Sequence, residues 1–280
     1  MAAKKISPHS KHPLRRIASK FKAAHDYTDL VKRWRQIAKQ SNLQMHRFAQ
    51  AGKQEIFYLE SSTPQKAALH SQEKKTSIYL SAGIHGDEPA GPAALLHWAE
   101  TNKKRLSSLH CLIFPCLNPW GLINNRRTDS QGRDLNRSYH DNSIRQTAAH
   151  KSLLLNRRFD LAIALHEDYD APGYYIYATN HTKRDLAKKI INTAAAHIPI
   201  DNRSEIEGIK ATKGLLLPKI LPKFKKQLPE ALLLFPENTD CTFTLEAPSE
   251  YFLDDRILAH SAVLDLVTSS PFLNLLKNTK

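Results

Sequence analysis

The sequence carries imidazole and carboxylate side chains at a spacing that suits metal-assisted hydrolysis. His85 and Glu88 lie three residues apart, after the apolar run 77–82 and at the start of a helical pattern. An imidazole and a carboxylate so placed can converge on one ion, and a third ligand from a distant strand end leaves a tetrahedral zinc one open position for water. The pair alone is a weak signal, because the same spacing is common by chance.

His166 is the candidate for the third ligand. It ends the apolar run 160–166, and Glu167 and Asp168 follow it directly. A metal-bound histidine commonly donates its second N–H to a carboxylate, so these two acids are candidate partners for its ring. Taken alone, His166 is better explained as a hydrogen-bonded histidine at a strand end, and only its combination with the first pair favours a metal ligand.

Glu246 is the candidate for a catalytic base. It ends a second apolar run, 241–246. Burying an unpaired carboxylate costs roughly several kcal/mol unless a cation or an activated water meets it. A general base of a hydrolase has such a position, with Glu237 and Glu167 as the alternatives.

Between these runs lies an irregular stretch rich in asparagine and arginine. The turn Asn118-Pro-Trp-Gly121 is followed by the segment from Arg126 to Arg137, which contains four arginines. Guanidinium groups beside a metal can stabilise a developing oxyanion and bind a substrate carboxylate. Solvated arginines on the surface are the alternative explanation.

Together these motifs resemble the zinc carboxypeptidase family, in the order in which the family has them and over about residues 55–250. The sequence R-T-D-S-Q-G-R-D-L-N-R at 127–137 carries much of the likeness. Its short D-L-N-R form is similar to the bacterial branch that contains murein-peptide amidases, aspartoacylases and succinylglutamate desuccinylases. The motifs that match are His85-x-x-Glu88, Asn118-Pro-x-Gly121, the 127–137 segment, His166 and Thr-Leu-Glu246.

The resemblance implies a role for each of these residues. It implies one zinc ion per chain on His85, Glu88 and His166, with Glu246 as the general base that activates water. It also implies that Arg127 polarises the scissile carbonyl, and that Asn136 and Arg137 bind the carboxylate of the substrate. Arg126 stands beside Arg127, so the choice between these two arginines stays open.

The implied reaction is hydrolysis of an amide bond next to a free carboxylate, in a small peptide or acyl amino acid. A metallocarboxypeptidase acting on a cell-wall (murein) peptide is the first candidate, and an N-acyl amino acid amidohydrolase of the aspartoacylase or succinylglutamate desuccinylase type is the alternative. Family carboxypeptidases usually carry a mobile tyrosine before the catalytic glutamate, yet no tyrosine lies between Tyr177 and Tyr251. This departure favours the bacterial branch.

Apolar runs and helical patterns alternate along the chain, which predicts an α/β fold. The expected architecture is a mixed, largely parallel central sheet of about eight strands flanked by helices. Residues 205–230, rich in glycine, proline and lysine, are interpreted as a long surface excursion. The predicted strands are 54–60, 65–70, 77–82, 110–117, 160–166, 174–178, 231–236 and 241–246, and the predicted helices are 28–40, 90–103, 146–156, 182–196 and 255–268.

The net charge of +14 is concentrated at one end of the chain. Residues 1–53 carry 13 Lys/Arg and 2 Asp/Glu, whereas the remainder carries 28 and 25. Residues 1–25, without any acid, are expected to be a flexible basic arm, and residues 26–280 the catalytic domain. Binding of nucleic acid or an anionic surface through the arm is the alternative from another functional class, although no specific nucleic acid is expected.

Composition also bears on the compartment. No run approaches the roughly 18 to 20 apolar residues of a membrane span, and the start lacks the apolar region of a secretory signal. Three cysteines leave an odd thiol and form no C-x-x-C pair, which suits a reducing compartment. A cytoplasmic protein is expected, and the oligomeric state stays open.

Overall fold

The computed structural model describes residues 24–61, 76–179, 184–218 and 226–278. The basic arm lies outside these residues except for its last two positions, and so does the predicted strand 65–70. The division of the chain at residue 26 therefore stays a prediction.

The five predicted helices are all present, and each end lies within two residues of its predicted position. Four shorter or later helices were not predicted. Within the described residues, no helix is both long and apolar enough to cross a membrane. The helices are α1 Tyr27–Gln40, α2 Ala90–Thr101, α3 Lys103–Leu106, α4 Pro119–Asn124, α5 Arg145–Leu154, α6 Arg184–Ala194, α7 Glu230–Leu234, α8 Leu253–Val267 and α9 Ser270–Asn278.

Ten strands form one sheet in the order β1-β2-β4-β3-β5-β10-β6-β9-β8-β7. The four central strands β4, β3, β5 and β10 are parallel, and antiparallel pairs flank them. This confirms the mixed α/β class. The strands are β1 Leu43–Ala51, β2 Gln54–Ser61, β3 Ser77–Ala82, β4 His110–Phe114, β5 Leu161–Asp168, β6 Tyr175–Ala178, β7 Glu205–Ile206, β8 Ile209–Thr212, β9 Leu215–Leu216 and β10 Thr242–Pro248.

The predicted count of about eight strands is too low. Strand β1 alternates apolar and polar residues only in two short pieces, 43–46 and 49–51, and the pattern breaks at the register shift between Arg47 and Ala49, so pairing with β2 makes the stretch one strand. The predicted excursion 205–230 contains three short strands, of two to four residues each, that extend the sheet at one edge. Strands this short carry no usable periodicity.

The predicted strand 231–236 is wrong, because this stretch begins with helix α7. Its residues Ala231 to Leu234 are strong helix formers and none is β-branched. Pro229 directly precedes the helix, where the missing N–H costs nothing. An apolar run of this length does not distinguish a short buried helix from a strand.

The two faces of the sheet are covered by different apolar layers. On β3, Ile78 and Leu80 face the layer that contains α1, α2, α6 and α8, whereas Tyr79 faces the layer that contains α5. On β5 and β10 the second face changes character toward the carboxyl ends of the strands. There Ala162 still packs in the apolar layer, but His166 and Glu246 line a cavity.

Candidate metal centre and its cavity

The loop between β3 and α2 carries His85 and Glu88, as the sequence predicts. Gly86 allows this loop to lie directly on the next site loop, since a Cβ atom there would come within 1.9 Å of the carbonyl carbon of Gly121. The Gly86 N–H donates to the carbonyl of Arg126 at 3.1 Å. Contact between two glycines therefore brings the metal-ligand loop against the arginine segment.

Asn118 holds the start of that arginine segment. Its side-chain oxygen accepts from the Gly121 N–H at 2.9 Å and caps α4, while its amide nitrogen donates to the carbonyl of Thr128 at 3.1 Å. The side chain is fully buried. The turn identified in the sequence thus works as a clamp between α4 and the backbone that carries Arg127.

His85, Glu88 and His166 converge in one buried cluster. The Nδ1 atoms of His85 and His166 lie 2.5 Å and 2.9 Å from the two carboxylate oxygens of Glu88. One candidate ligand atom from each residue lies within 4.8 Å of the others. The cluster joins a loop after β3 with the end of β5, so residues 78 positions apart become neighbours.

Electrostatics favours the charged form of each member of this cluster. Burial alone would raise the pKa of Glu88, but the two imidazoles hold it well below its usual range. Burial would lower the pKa of His85, but Glu88 and Asp134 raise it to about 9. The pKa of His166 is also raised, against burial, by Glu88. In this state the carboxylate of Glu88 accepts hydrogen bonds from two imidazolium rings.

This donor set fits a divalent metal ion. Two imidazole nitrogens and one carboxylate are the ligands of several catalytic zinc centres, and all three residues are at most 4% exposed. Protonated rings hydrogen-bond to the carboxylate when no ion is present, whereas metal binding requires neutral rings. The residues that are brought together are therefore chemically suited to hold the ion.

Asp134 is a site residue that the sequence reasoning missed. Its Oδ1 lies 3.2 Å from Nε2 of His85, and its Oδ2 accepts from Nε of Arg127 at 3.1 Å. Burial would raise the pKa of Asp134, but His85 and Arg127 hold it well below its usual range. The signal for this role was present, because Asp134 opens the D-L-N-R motif.

The two carboxylates that were expected to bond to the ring of His166 have other partners. Glu167 points to the opposite face of β5, where it accepts from the Ala90 N–H at 2.6 Å and from Arg256. Asp168 accepts from the hydroxyl of Tyr175 at 2.9 Å. Neither acid bonds to the ring of His166, so this expectation is wrong, and the histidine supported by a carboxylate is His85.

Glu246 lies directly beside His166 in the sheet, since the two residues are paired across the parallel strands β10 and β5. It is 9% exposed and lines the cavity. Burial raises the pKa of Glu246 well above its usual range, and the charges of Glu88, Asp168 and Glu207 add to the effect despite the opposing charge of His166. Its position favours a carboxyl group that can hold a proton.

Arg127 reaches the cluster, whereas Arg126 does not line the cavity. An Nη atom of Arg127 lies 3.5 Å from Glu88, and the side chain is anchored by Asp134. Among the described residues, Arg126 takes part in two backbone hydrogen bonds: its carbonyl accepts from the Gly86 N–H at 3.1 Å, and its N–H donates to the carbonyl of Gly121 at 2.9 Å. The geometry thus distinguishes two arginines that the sequence could not separate.

Asn136 and Arg137 stand at the other side of the same cavity. The side-chain oxygen of Asn136 accepts from the Glu230 N–H at 2.9 Å, which leaves its amide nitrogen as the group available to a ligand. Arg137 is exposed at the cavity and donates from one Nη atom to the carbonyl of Asn136 at 3.0 Å. The remaining donors of this guanidinium can bind an anion.

A cavity of about 790 Å³ joins these groups. Glu88, His166 and Glu246 lie on its wall, together with three arginines at positions 127, 137 and 256. A space of this size holds a small peptide or an acylated amino acid. The seven residues that the sequence assigns to the site therefore lie together at the carboxyl ends of the central strands, where sites of open α/β sheets cluster.

Part of the chain is similar in sequence to known proteins. Residues 74–211 match the succinylglutamate desuccinylase/aspartoacylase catalytic domain. A protein of Trichophyton verrucosum named "Probable carboxypeptidase 2" is 26% identical over 178 residues, which are 59% of this chain. The match spans about a third (32%) of the length of that fungal relative.

Solved structures share the fold. A Shewanella baltica protein whose assignment as a metallopeptidase is provisional has a TM-score of 0.75 at 20% identity, over 90% of this chain and 93% of its own. A metallo-carboxypeptidase of Pseudomonas aeruginosa, in complex with (2-guanidinoethylmercapto)succinic acid, has a TM-score of 0.60 at 15% identity, over 88% and 68%. Residues 74–211 are thus similar to the catalytic domain of the succinylglutamate desuccinylase/aspartoacylase family, and the chain shares its fold with a metallo-carboxypeptidase.

Proposed function

We propose that the chain is a zinc-dependent metallocarboxypeptidase, with one ion per chain, that hydrolyses an amide bond next to a free carboxylate. A cell-wall (murein) peptide is the first candidate substrate. The observation that carries the proposal is the buried cluster of His85, Glu88 and His166 on the wall of a cavity that also holds a buried glutamate and three arginines.

In this proposal Glu246 is the general base. It accepts a proton from the attacking water, and the resulting carboxylic acid returns that proton to the nitrogen of the leaving amine as the C–N bond breaks. A zinc ion, when bound, supplies Lewis acidity toward the carbonyl and the water. Burial of Glu246 and the acids near it raise the pKa of Glu246. A raised pKa suits a group that must hold the proton between these two steps.

Arg127, Asn136 and Arg137 bind the substrate. Arg127, oriented by Asp134, places positive charge where the carbonyl oxygen becomes an oxyanion. Asn136 and Arg137 take the free carboxylate, since one offers an amide N–H and the other a planar fork of donors. The succinic acid derivative bound by the metallo-carboxypeptidase of P. aeruginosa supports a carboxylate-bearing ligand for this type of cavity.

An N-acyl amino acid amidohydrolase is the second candidate. The match of residues 74–211 to the succinylglutamate desuccinylase/aspartoacylase catalytic domain favours it. The same residues would act in the same roles, and only the group on the acyl side of the scissile bond would differ.

A substrate panel tests both candidates. The purified, zinc-supplied protein is assayed with murein peptides, ordinary peptides cut at the C-terminus and N-acyl amino acids, each as the free acid and as the amide. We expect strong preference for the free acid. Arg137→Ala should lower kcat/KM for the acid by roughly thirtyfold or more, with only partial recovery in Arg137→Lys.

The controls use two other arginines. Arg145→Ala, an exposed change outside the cavity, should leave the preference intact, and Arg126→Ala should affect catalysis far less than Arg127→Ala. Equal cleavage of acid and amide by the wild-type protein would exclude a carboxylate-directed hydrolase and leave a zinc hydrolase of another kind.

Binding through the basic arm is the alternative from another class. Deletion of residues 1–25 separates the two activities, because binding to an anionic surface should disappear while hydrolysis persists.

A further inference from the structure

The arginines of the cavity are confined to one of its two walls, which also carries Asp87 and Glu88. They lie on the loop and helix side, at positions 127, 137 and 256. The sheet side is formed by β5, β6, β10 and the β7–β8 hairpin, and among the described residues none of the cavity-lining side chains there is Lys or Arg. Asp168, Glu207 and Glu246 stand on that wall instead.

Glu207 is held in place at the far part of this sheet wall. It lies in the turn between β7 and β8, and its carboxylate accepts from the hydroxyl of Tyr177 at 2.7 Å. No salt bridge to Glu207 occurs among the described residues. The ring of Tyr177 packs edge to face on Tyr175 with centroids 5.5 Å apart. The tyrosine thus directs a carboxylate without neutralising it.

A second feature of the wall is independent of its acids. Thr244 lies on β10 opposite Tyr177, lines the cavity and is only 9% exposed. Its hydroxyl makes no hydrogen bond to any described residue. The hydroxyl is therefore available to a ligand or an ordered water that enters along this wall.

The spacing between Glu246 and Thr244 along β10 is close to the length of a lysine side chain. Thr244 precedes Glu246 by two residues on the same strand, which corresponds to about 7 Å. A lysine side chain extends its ammonium by roughly 6 Å from Cα, through five bonds of about 1.5 Å. A lysine side chain that begins beside Glu246 can therefore extend along β10 to Thr244, which is paired with Tyr177, the residue that bonds to Glu207.

We propose that this sheet wall, formed by Thr244, Tyr177 and Glu207, is a side-chain pocket that selects a leaving residue ending in a cation, such as an ammonium or guanidinium group. Glu207 recognises the cation, and Tyr177 positions Glu207. The inference rests on the proposed function, because it names the class of residue that the hydrolase releases. A substrate with a carboxylate at one end and a cation at the other would match the arginines of one wall and Glu207 of the other.

Paired substrates test the pocket. Two acyl peptides are compared that differ only in a C-terminal lysine or norleucine, each prepared with either chirality at that residue. We expect the lysine peptide to have at least about a tenfold higher kcat/KM in the wild-type protein, since the hydrogen bond is charge-assisted. In Glu207→Gln this ratio should fall close to one, and in Tyr177→Phe it should fall part of the way.

The matched control is Glu205→Gln, an exposed change on the same hairpin that does not line the cavity. It removes the same charge and should leave the ratio as in the wild-type protein. A ratio that falls equally in both glutamine variants would reflect the general charge of the hairpin and would overturn the assignment to Glu207.

Calorimetric binding of free lysine and norleucine gives a readout that does not depend on turnover. A wild-type protein that cuts both peptides equally well contradicts the pocket while the proposed function stands. A protein that cuts neither peptide, yet binds lysine in preference to norleucine through Glu207, contradicts the proposed function while the pocket stands. Equal binding of both amino acids overturns the pocket.

Discussion

Three side chains form the candidate metal centre. His85 and His166 direct their Nδ1 atoms toward one carboxylate, that of Glu88, inside a buried cluster. We expect the wild-type protein to take up about one zinc ion per chain, and His85→Ala or Glu88→Ala to lose most of it, because two ligands hold zinc far less tightly than three.

Metal analysis of protein prepared without chelators measures this directly. His110→Ala, which changes an exposed histidine of β4, is the control and should retain the ion. A wild-type protein that takes up no zinc even when zinc is supplied would remove the basis of the assignment.

Glu246 and the metal ligands should be separable by mutation. Glu246→Gln keeps the size of the side chain but cannot accept a proton, so we expect kcat to fall by roughly a hundredfold or more while zinc content and folding persist. The exposed Glu237, an alternative base on sequence grounds, lies outside the cavity, and Glu237→Gln should retain activity. Near-normal turnover in Glu246→Gln would assign the base elsewhere.

Asp134 should strengthen zinc binding without being a ligand itself. Its hydrogen bond to Nε2 of His85 orients the ring and favours its metal-binding tautomer, so Asp134→Asn should weaken zinc affinity by roughly tenfold to a hundredfold. Competition with a chelator of known affinity measures the change. Asp141→Asn, a surface change in the next turn, serves as the control, and equal affinities of both variants would contradict the role.

At the scale of elements, the site depends on how closely two loops approach. Gly86 lies against the backbone of Gly121, so Gly86→Ala cannot be accommodated without moving the loop that carries His85. We expect a loss of more than about 2 kcal/mol in unfolding free energy, or loss of zinc from a folded protein, since overpacking and backbone displacement are both costly.

Gly52→Ala provides the matched comparison, because Gly52 has a positive φ of 59° but nothing within 4 Å of an added Cβ. Only the backbone penalty of about 1 kcal/mol applies there, and zinc should be retained. Chemical denaturation and metal analysis of both variants decide the matter. Equal behaviour would mean that the loop contact is not what positions the ligands.

At the scale of the whole molecule, a buried polar chain crosses the apolar layer beneath the site. Tyr139 donates to Nδ1 of His150 at 2.6 Å, Nε2 of His150 lies 2.9 Å from the hydroxyl of Tyr79, and Tyr79 donates to Glu230. The backbone N–H of Glu230 in turn holds the side chain of Asn136. The folded core is thus connected directly to a proposed substrate-binding residue.

His150, in the middle of this hydrogen-bonded network, makes the stability of the protein depend on pH. Burial lowers the pKa of His150 to about 3, whereas an unfolded histidine titrates near 6.5. The stabilising effect of the neutral ring is complete above about pH 6.5 and is lost as the pH falls toward 3, because only the unfolded chain binds the proton in that range. Between pH 7 and pH 5 this histidine alone should cost about 2 kcal/mol.

Urea unfolding at both pH values tests the prediction. His150→Gln should be less stable at pH 7 but should lose about 2 kcal/mol less than the wild-type protein on going to pH 5. His140→Gln, which replaces an exposed histidine, should show the wild-type pH dependence. An identical pH response of all three proteins would mean that His150 is accessible to protons in the folded state.

The sequence by itself predicted the central architecture of this protein and named the residues of its candidate site. Candidate metal ligands and a candidate base were chosen by residue type and motif, and the buried strands β3, β5 and β10 follow from apolar runs that need no partner to be recognised. The seven assigned residues could be named because their motifs lie in one order along the chain. Local patterns of this kind can be recognised from the order of the residues alone.

The tertiary structure alone decided the contacts between distant segments. The pairing that made β1 a strand, the close contact of Gly86 with Gly121 and the choice of Arg127 over Arg126 depend on distances that spacing does not encode. The same holds for the placement of Glu207, on a hairpin too short for any pattern. Side chains acquire these roles only when separate elements pack together, since packing and not local propensity sets which groups meet.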